Sequence, residues 1–398
     1  MLMNSTDKKD QNYDYIIAGA GASGLSLLWN MLQSDKLGSK SILLVDLNFH
    51  PVNDKTWCFW DNSNIPFEEL IYHTWSNLEV SALSNRMSED LSRYKYYCIR
   101  SVDYSKKILS LAEKSSNVTL MESKIFDFKA EKNQGVIVTE QGNFKAKHIF
   151  QSALKPPGLQ KEKLDISLKQ HFLGWEIETK KDFFDPDKAI FMDFDIPQTN
   201  GISFFYTLPF SETKALIEYT IFSSDVLTDE QYELELISYL KTKFNLESDD
   251  FSIIRREKGV IPMEDRRYPS MYCNHVYNMG TAGGLTKPTT GYTFTRIQKH
   301  SREIVNALEK ETPVPKQRAS SYRFRIYDIM LLCILDRQRD ISVQIFHDLF
   351  KYNSFDRILQ FLEEETHLGQ ELKIFSTLPY TPFFKSIWKM KHRIFSGA

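Results

Sequence analysis

The segment Gly19-Ala20-Gly21-Ala22-Ser23-Gly24 constrains this chain more than any other. It follows the apolar run Tyr13-Asp14-Tyr15-Ile16-Ile17-Ala18 and precedes Leu25 to Leu32, whose apolar spacing is helical. In that context G-x-G-x-x-G reads as the turn of a dinucleotide-binding βαβ unit. The first glycine permits a tight turn, the second lets backbone approach a pyrophosphate, and the third lets the helix lie close to the strand. The helix N-terminus then offers N–H groups to the anion. Ser41-Ile42-Leu43-Leu44-Val45-Asp46 reads as the next strand. Asp46 ends it about 20 residues past the last glycine, where an acid binds ribose hydroxyls. A parallel sheet and a site for FAD or NAD(P) follow as expectations.

A second glycine cluster runs from Met279 to Tyr292, after a short apolar run and before a helix predicted over Gly291 to Leu308. Gly280, Gly283, Gly284, Thr290 and Gly291 suit backbone that approaches another part of the cofactor. Arg100 precedes a helix predicted from Tyr104. It reads equally as a phosphate ligand or a solvated surface residue.

Between the glycine clusters the pattern changes. Phe172 to Glu178, Ala189 to Phe194, Ile202 to Leu208 and Lys214 to Phe222 read as long strands, several of them alternating apolar with polar or small residues. This predicts an antiparallel sheet distinct from the nucleotide half. Asn48 to Arg93 reads as irregular. Within it, Trp57, Phe59 and Trp60 are three rings in four residues, which either fill a core or line an apolar pocket. From Tyr322 onward the chain reads as helical, interrupted near Pro379 and Pro382.

The 398 residues suffice for one large or two medium domains. The net charge of −2 gives no reason to expect a nucleic-acid partner. The four cysteines are scattered without a C-x-x-C pair, which disfavours a zinc site or a disulfide framework and suits a reducing cytoplasm. Residues 1–12 lack the apolar core of a signal peptide, and no run approaches the roughly 20 apolar residues of a membrane span. The basic, amphipathic stretch Pro382 to Phe395 reads either as a helix lying on an anionic membrane or as one docked on the body.

Glu218 stands in Ala215-Leu216-Ile217-Glu218-Tyr219-Thr220, one acid on an otherwise apolar strand. It is either a paired structural carboxylate or a desolvated acid that keeps its proton at neutral pH, as a general acid does. Glu363, Glu364 and Glu365 also resemble an acid motif, but the apolar stripe before them predicts a solvated helix face.

Taken together, these residues resemble the lycopene β-cyclase family, the flavoprotein carotenoid cyclases. The likeness rests on the glycine turn, Asp54-Lys55-Thr56-Trp57, Gln170-His171-Phe172-Leu173-Gly174-Trp175-Glu176, Phe191-Met192-Asp193-Phe194, Tyr206-Thr207-Leu208-Pro209-Phe210, Leu216-Ile217-Glu218, Gly259-Val260-Ile261-Pro262 and Lys287-Pro288-Thr289-Thr290-Gly291-Tyr292, in that order. Tyr327 to Leu332 is similar too. The resemblance implies an α/β fold with a Rossmann-like FAD-binding domain of the glutathione-reductase/hydroxylase type, an antiparallel-sheet substrate domain and a helical C-terminal region. The expected ranges are 13–55, 95–155 and 270–310; 56–94 and 156–269; and 320–395, the last a candidate for membrane docking.

It also implies non-redox, acid-catalysed closure of lycopene, through γ-carotene, to β-ionone rings, with reduced FAD, NAD(P)H as reductant and no metal. Glu218 falls where that family places its essential acid. Trp57, Phe59, Trp60, Trp175 and Tyr219 are the expected substrate-pocket residues. Tyr219 departs from the family pattern, which has a second acid there. The implied location is peripheral, on the cytoplasmic side of a membrane. The competing readings are a FAD-dependent isoprenoid reductase or monooxygenase of the same flavoprotein class, and a non-enzymatic carotenoid carrier.

Overall fold

The computed structural model describes residues 11–62, 65, 67–315 and 320–395. In chain order, β1 (Gln11–Ala18), α1 (Ala22–Leu32) and β2 (Ile42–Asp46) form the expected opening. They are followed by β3 (Thr56–Asp61), β4 (Ile71–Trp75), β5 (Asn77–Ala82), β6 (Asn85–Asp90), β7 (Lys95–Arg100) and α2 (Ser101–Lys114). Next come β8 (Val118–Glu122), β9 (Ile125–Glu131), β10 (Gln134–Thr139) and β11 (Gly142–Gln151). The long strands are β12 (Ser167–Thr179), β13 (Lys188–Asp193), β14 (Ile202–Pro209) and β15 (Lys214–Ser223), with α3 (Asp229–Phe244) before β16 (Phe251–Glu264). The chain ends with β17 (Met271–Cys273), β18 (Val276–Asn278), α4 (Phe294–Glu309), α5 (Tyr322–Arg337), α6 (Arg339–Tyr352), α7 (Phe355–Leu362), α8 (Leu368–Phe375) and α9 (Tyr380–Phe395).

Among the described residues the strands form three sheets. In the first, β18, β11, β1, β2 and β8 run parallel, with β9 and β10 added as an antiparallel meander. Its central strands are apolar on both faces because α1 and α4 cover one side and the meander the other, as parallel sheets require. The second has the order β16-β12-β15-β14-β13-β5-β6 and is antiparallel apart from the β13–β5 pair. The third is the small sheet β3-β7-β4. Helices α5, α6, α7 and α9 share a core with the second sheet, where Phe350 meets Phe191 and Phe346 stacks on Phe194.

The stretch read as irregular, Asn48 to Arg93, contains the four strands β3 to β6. The β5–β6 hairpin turns at Leu83 and Ser84, with φ of 53° and 60°. Consecutive left-handed residues suit a tight hairpin, but Leu-Ser lacks the Asn-Gly signature that would have revealed it. The helix expected from Gly291 begins at Phe294, because Gly291 is held at φ 73° in a turn. The tail is helical, but Pro382 lies inside the first turn of α9, where proline is tolerated, rather than breaking it.

Candidate active site

Strand pairing brings two acids together. Gly174 of β12 is opposite Glu218 of β15 on one side and Glu257 of β16 on the other. With no side chain at Gly174, the carboxyls reach each other across it: a Cβ there would lie 3.3 Å from Glu257 Cγ and 3.4 Å from Glu218 Cβ. Both acids are buried, and they line one cavity of about 330 Å³ with Trp57, Phe172, Tyr206 and Tyr292.

The two acids have different partners. Arg255 Nη1 donates to Glu257 Oε2 at 2.5 Å, and Arg255 Nε donates to Glu176 at 2.8 Å. Thr56 Oγ1 donates to Glu257 Oε2 at 2.9 Å and accepts from Arg255 at 2.7 Å. Among the described residues, Glu218 accepts a hydrogen bond from outside the pair only from the Thr220 hydroxyl, at 2.7 Å. Burial, and then the neighbouring Glu257 charge, push the Glu218 carboxyl well above its ordinary value of 4.5. Burial also raises Glu257, but Arg255 and Thr56 act against it. Glu218 is therefore the proton holder and Glu257 the acceptor, as expected of two carboxyls in one dry site.

Aromatic groups surround the pair. Tyr206 is the register partner of Glu218 on the far side of β15. The Tyr96 and Tyr292 hydroxyls lie 3.2 Å apart, and burial raises both phenols, as it does Tyr206. They stay neutral and present ring faces. Trp57 stacks on Phe294 with ring centroids 5.6 Å apart.

Of the rings expected in the pocket, Trp57 lines this cavity. Trp175 and Tyr219 lie one residue from Gly174 and Glu218, so strand alternation turns them to the opposite face, into the core beneath α3 with Ile217 and Leu236. Phe59 packs against Phe294 and Tyr97. Trp60 is 1% exposed and donates from Nε1 to Leu359 O.

The glycine turn has the shape its spacing implied. Gly19 has φ 103°, and a Cβ on Gly24 would sit 1.8 Å from Gly19 O, so the close helix–strand approach needs both glycines. A Cβ on Gly21 would meet nothing within 4 Å, which leaves open space in front of the α1 N-terminus. Ala20 N and Leu47 N both donate to Asp46, and Ala22 lines the Glu218 cavity. Ser23 Oγ is buried without a partner.

In the second cluster Gly280 lies against Ser23 and Gly284 against Tyr268, both at positive φ. Gly283 is buried. Thr290 and Gly291 line the same cavity, and Thr290 Oγ1 is also unpartnered. These orphaned hydroxyls, the space before Gly21 and the helix N-terminus fit a bound dinucleotide. Arg100 stands apart. Its Nε pairs with Asp103 at 2.7 Å and its guanidinium lies 4.0 Å from the Tyr72 ring centroid.

Of the acids read as a solvated helix face, Glu365 is exposed, but Glu363 and Glu364 are not. Glu364 pairs with Lys287 at 3.0 Å and Arg296 at 3.2 Å, and Lys287 also pairs with Asp328 at 3.0 Å. Lys299 holds Glu363 and Glu365. The motif at Lys287 thus ties the second glycine cluster to α5 and to the loop after α7. Periodicity missed this because those acids lie beyond the end of α7. Among the described residues, no cluster of His, Cys, Asp or Glu could hold a metal ion, and no helix is long and apolar enough to cross a membrane.

Comparison with known proteins agrees with the geometry. The lycopene β-cyclase of Pantoea ananas is 23% identical over 295 residues, 71% of each chain. Among solved structures, a geranylgeranyl bacteriochlorophyll reductase-like protein from Thermoplasma acidophilum has a TM-score of 0.55 at 12% identity, covering 96% of this chain and 99% of that one. The halogenase PltM has a TM-score of 0.59 at 13% identity, covering 97% and 93%. A mutant of that halogenase solved in complex with FAD has a TM-score of 0.58 at 13% identity, so the fold is one that holds FAD in that protein. The family model described as "Lycopene cyclase protein" matches residues 14–388, nearly the whole described chain, and the chain belongs to the lycopene cyclase family.

Proposed function

We propose that this protein is a lycopene β-cyclase that closes the ends of lycopene, through γ-carotene, into β-ionone rings by proton transfer from Glu218. The observation that carries this is the buried Glu218–Glu257 pair in an aromatic cavity shared with the glycine clusters. Cyclisation needs an acid that stays protonated in a dry site, and it moves no electrons to or from the substrate. A reductase or monooxygenase of the same fold has no evident use for a carboxyl pair held this way.

The steps balance without a co-substrate. The Glu218 proton adds to the terminal double bond and leaves a tertiary cation. An internal double bond of the polyene attacks that carbon and closes the ring. A proton leaves the ring carbon adjacent to the new cation, setting the ring double bond, and the Glu218 carboxylate takes it back. The faces of Trp57, Tyr206 and Tyr292 attract the cation. Arg255 and Thr56 hold Glu257 in place beside the acid, and the apolar walls exclude water that would quench the cation.

FAD would be held by the turn from Gly19 to Gly24, by Asp46, and by Gly280, Gly283, Gly284, Thr290 and Gly291. When bound and reduced, with NAD(P)H as the reductant, it would supply negative charge that offsets a developing cation. The domain ranges expected from the sequence are retained as part of this reading. So is a peripheral membrane location, since lycopene resides in bilayers. Expression in a cell that accumulates lycopene tests the function: β-carotene by pigment chromatography is expected. Unchanged lycopene beside soluble, flavin-loaded protein would sink the reading.

A further inference from the structure

Tyr292 and Thr290 line the Glu218 cavity. They also line a second, narrow cavity between the antiparallel sheet and the C-terminal helices. Its walls include Phe191 and Phe222 from the sheet, Phe350 of α6 and Phe361 of α7, and its charged residues Lys287 and Asp328 neutralise each other. At the far end, Met330, Phe375, Leu378 and Phe383 are shared with a third cavity of about 180 Å³. The outer side of this groove is Tyr380, Phe384 and Ile387. The three volumes thus form a chain, joined by shared side chains, from the carboxyl pair to the surface at α8–α9.

The surface at that mouth is unusual. Tyr380 is 72% exposed, Phe384 66% and Trp388 73%, at the i, i+4, i+8 spacing of one helix stripe. Leu368 and Leu372 of α8 are similarly exposed. The opposite face of α9, with Ser386, Met390 and Ile394, is the one buried against the body. The docked reading of this segment therefore holds for one face of α9, and the aromatic face is left exposed. α9 contains no acidic residue, and Lys385, Lys389 and Lys391 are exposed. Arg393 is turned inward to Glu162 and Asp265.

We propose that the exposed α8–α9 face docks on an anionic bilayer, and that the groove beneath it is the portal through which a long hydrocarbon passes between the bilayer and the Glu218 cavity. This rests on the cyclase reading for the identity of the hydrocarbon. Two observations favour a bilayer over a protein partner. α9 itself carries exposed lysines beside the aromatic stripe and no acid, matching anionic headgroups. The stripe also frames the mouth of a cavity walled almost wholly by hydrocarbon, which a protein partner would cap and lipid tails would extend. Size argues the same way. A volume of about 330 Å³ beside Glu218 is at the small end of pockets for drug-sized ligands, roughly 300–1,000 Å³. The far part of a 40-carbon polyene must then lie in the adjoining cavities.

The test uses the full, flavin-loaded chain. Sedimentation with phosphatidylcholine vesicles, with and without phosphatidylglycerol, is expected to show salt-sensitive binding that favours the anionic vesicles. Each basic residue near such a surface is worth about fivefold in partitioning. Trp388→Glu with Lys389→Glu should therefore reduce binding at least about tenfold, with flavin content and melting temperature unchanged. Unchanged partitioning overturns the docking face. Leu378→Trp, which narrows the portal, should slow turnover of vesicle-borne lycopene while vesicle binding stays intact. Wild-type turnover in that variant overturns the portal. A wild-type chain that binds anionic vesicles but cyclises nothing sinks the cyclase reading and leaves the docking face standing.

Discussion

Glu218 and Glu257 face each other across Gly174, on three adjacent strands whose register places all three residues side by side. The pair is asymmetric because Arg255 and Thr56 hydrogen-bond to Glu257 and not to Glu218. Glu257→Gln removes the neighbouring charge that helps hold the proton on Glu218. The plateau of a pH–rate profile should then end at lower pH on the alkaline side, while flavin binding is unchanged. An unmoved profile would remove Glu257 from the site's electrostatics.

Gly174→Ala probes the same relationship sterically. The new methyl would sit 3.1 Å from Leu216 Cδ1 as well as close to both acids, so the carboxyls must move apart. Small misplacements of reacting groups are costly, and a loss of roughly 10- to 100-fold in turnover is expected with the fold retained. Circular dichroism and steady-state rates on one preparation check this.

Stability should carry the mark of Glu218. Its folded-state pKa lies above its unfolded value, so the native state holds a proton that the unfolded chain releases once pH exceeds about 4.5. Stability is therefore lost as pH rises through that window. Glu218→Gln mimics the protonated acid and should raise the melting temperature at pH 7, with the gap closing toward pH 4.5. A destabilised variant at pH 7 would contradict the proton assignment.

Three histidines set the opposite slope at lower pH. Burial pushes His148, His171 and His300 down to about 4. The unfolded chain binds protons there from about 6.5 downward, so their contribution is complete above 6.5 and is lost as pH falls toward 4. His300 has neither ring nitrogen partnered, so His300→Phe should flatten part of that loss in denaturant titrations across pH 4–7.

The turn offers a contrast between two glycines. Gly24→Ala collides with Gly19 O and should not yield folded protein. Gly21→Ala meets no protein atom and should fold, but lose flavin, because its methyl occupies the space in front of the α1 N-terminus. Flavin absorbance at wild-type stoichiometry in Gly21→Ala would place the cofactor elsewhere.

Much of this was legible in local pattern. The glycine turn, Asp46 and the parallel opening follow from short-range spacing, and Glu218 stands out on an apolar strand. Glu257 did not, because Phe251–Glu264 alternates ordinary charged residues, and its meaning comes from register with a strand some 80 residues earlier. The same alternation, applied to Gly174-Trp175 and Glu218-Tyr219, would have turned Trp175 and Tyr219 away from the acid. Strands β5 and β6 went unread because β5 is completed by β13, more than 100 residues later. Glu364 looked solvated because its cations, Lys287 and Arg296, are distant in sequence.

The central claim is that the Glu218 proton enters the product. Turnover of lycopene in D2O by wild-type protein and by Glu218→Gln measures this directly by mass spectrometry. Each ring closed by wild-type protein should carry one deuterium from the exchanged carboxyl. Glu218→Gln should lose about 10²–10⁴-fold in rate, the usual share of a general acid. Product formed without deuterium, product heavier by two hydrogens or one oxygen in ordinary water, or a wild-type rate in Glu218→Gln would contradict it.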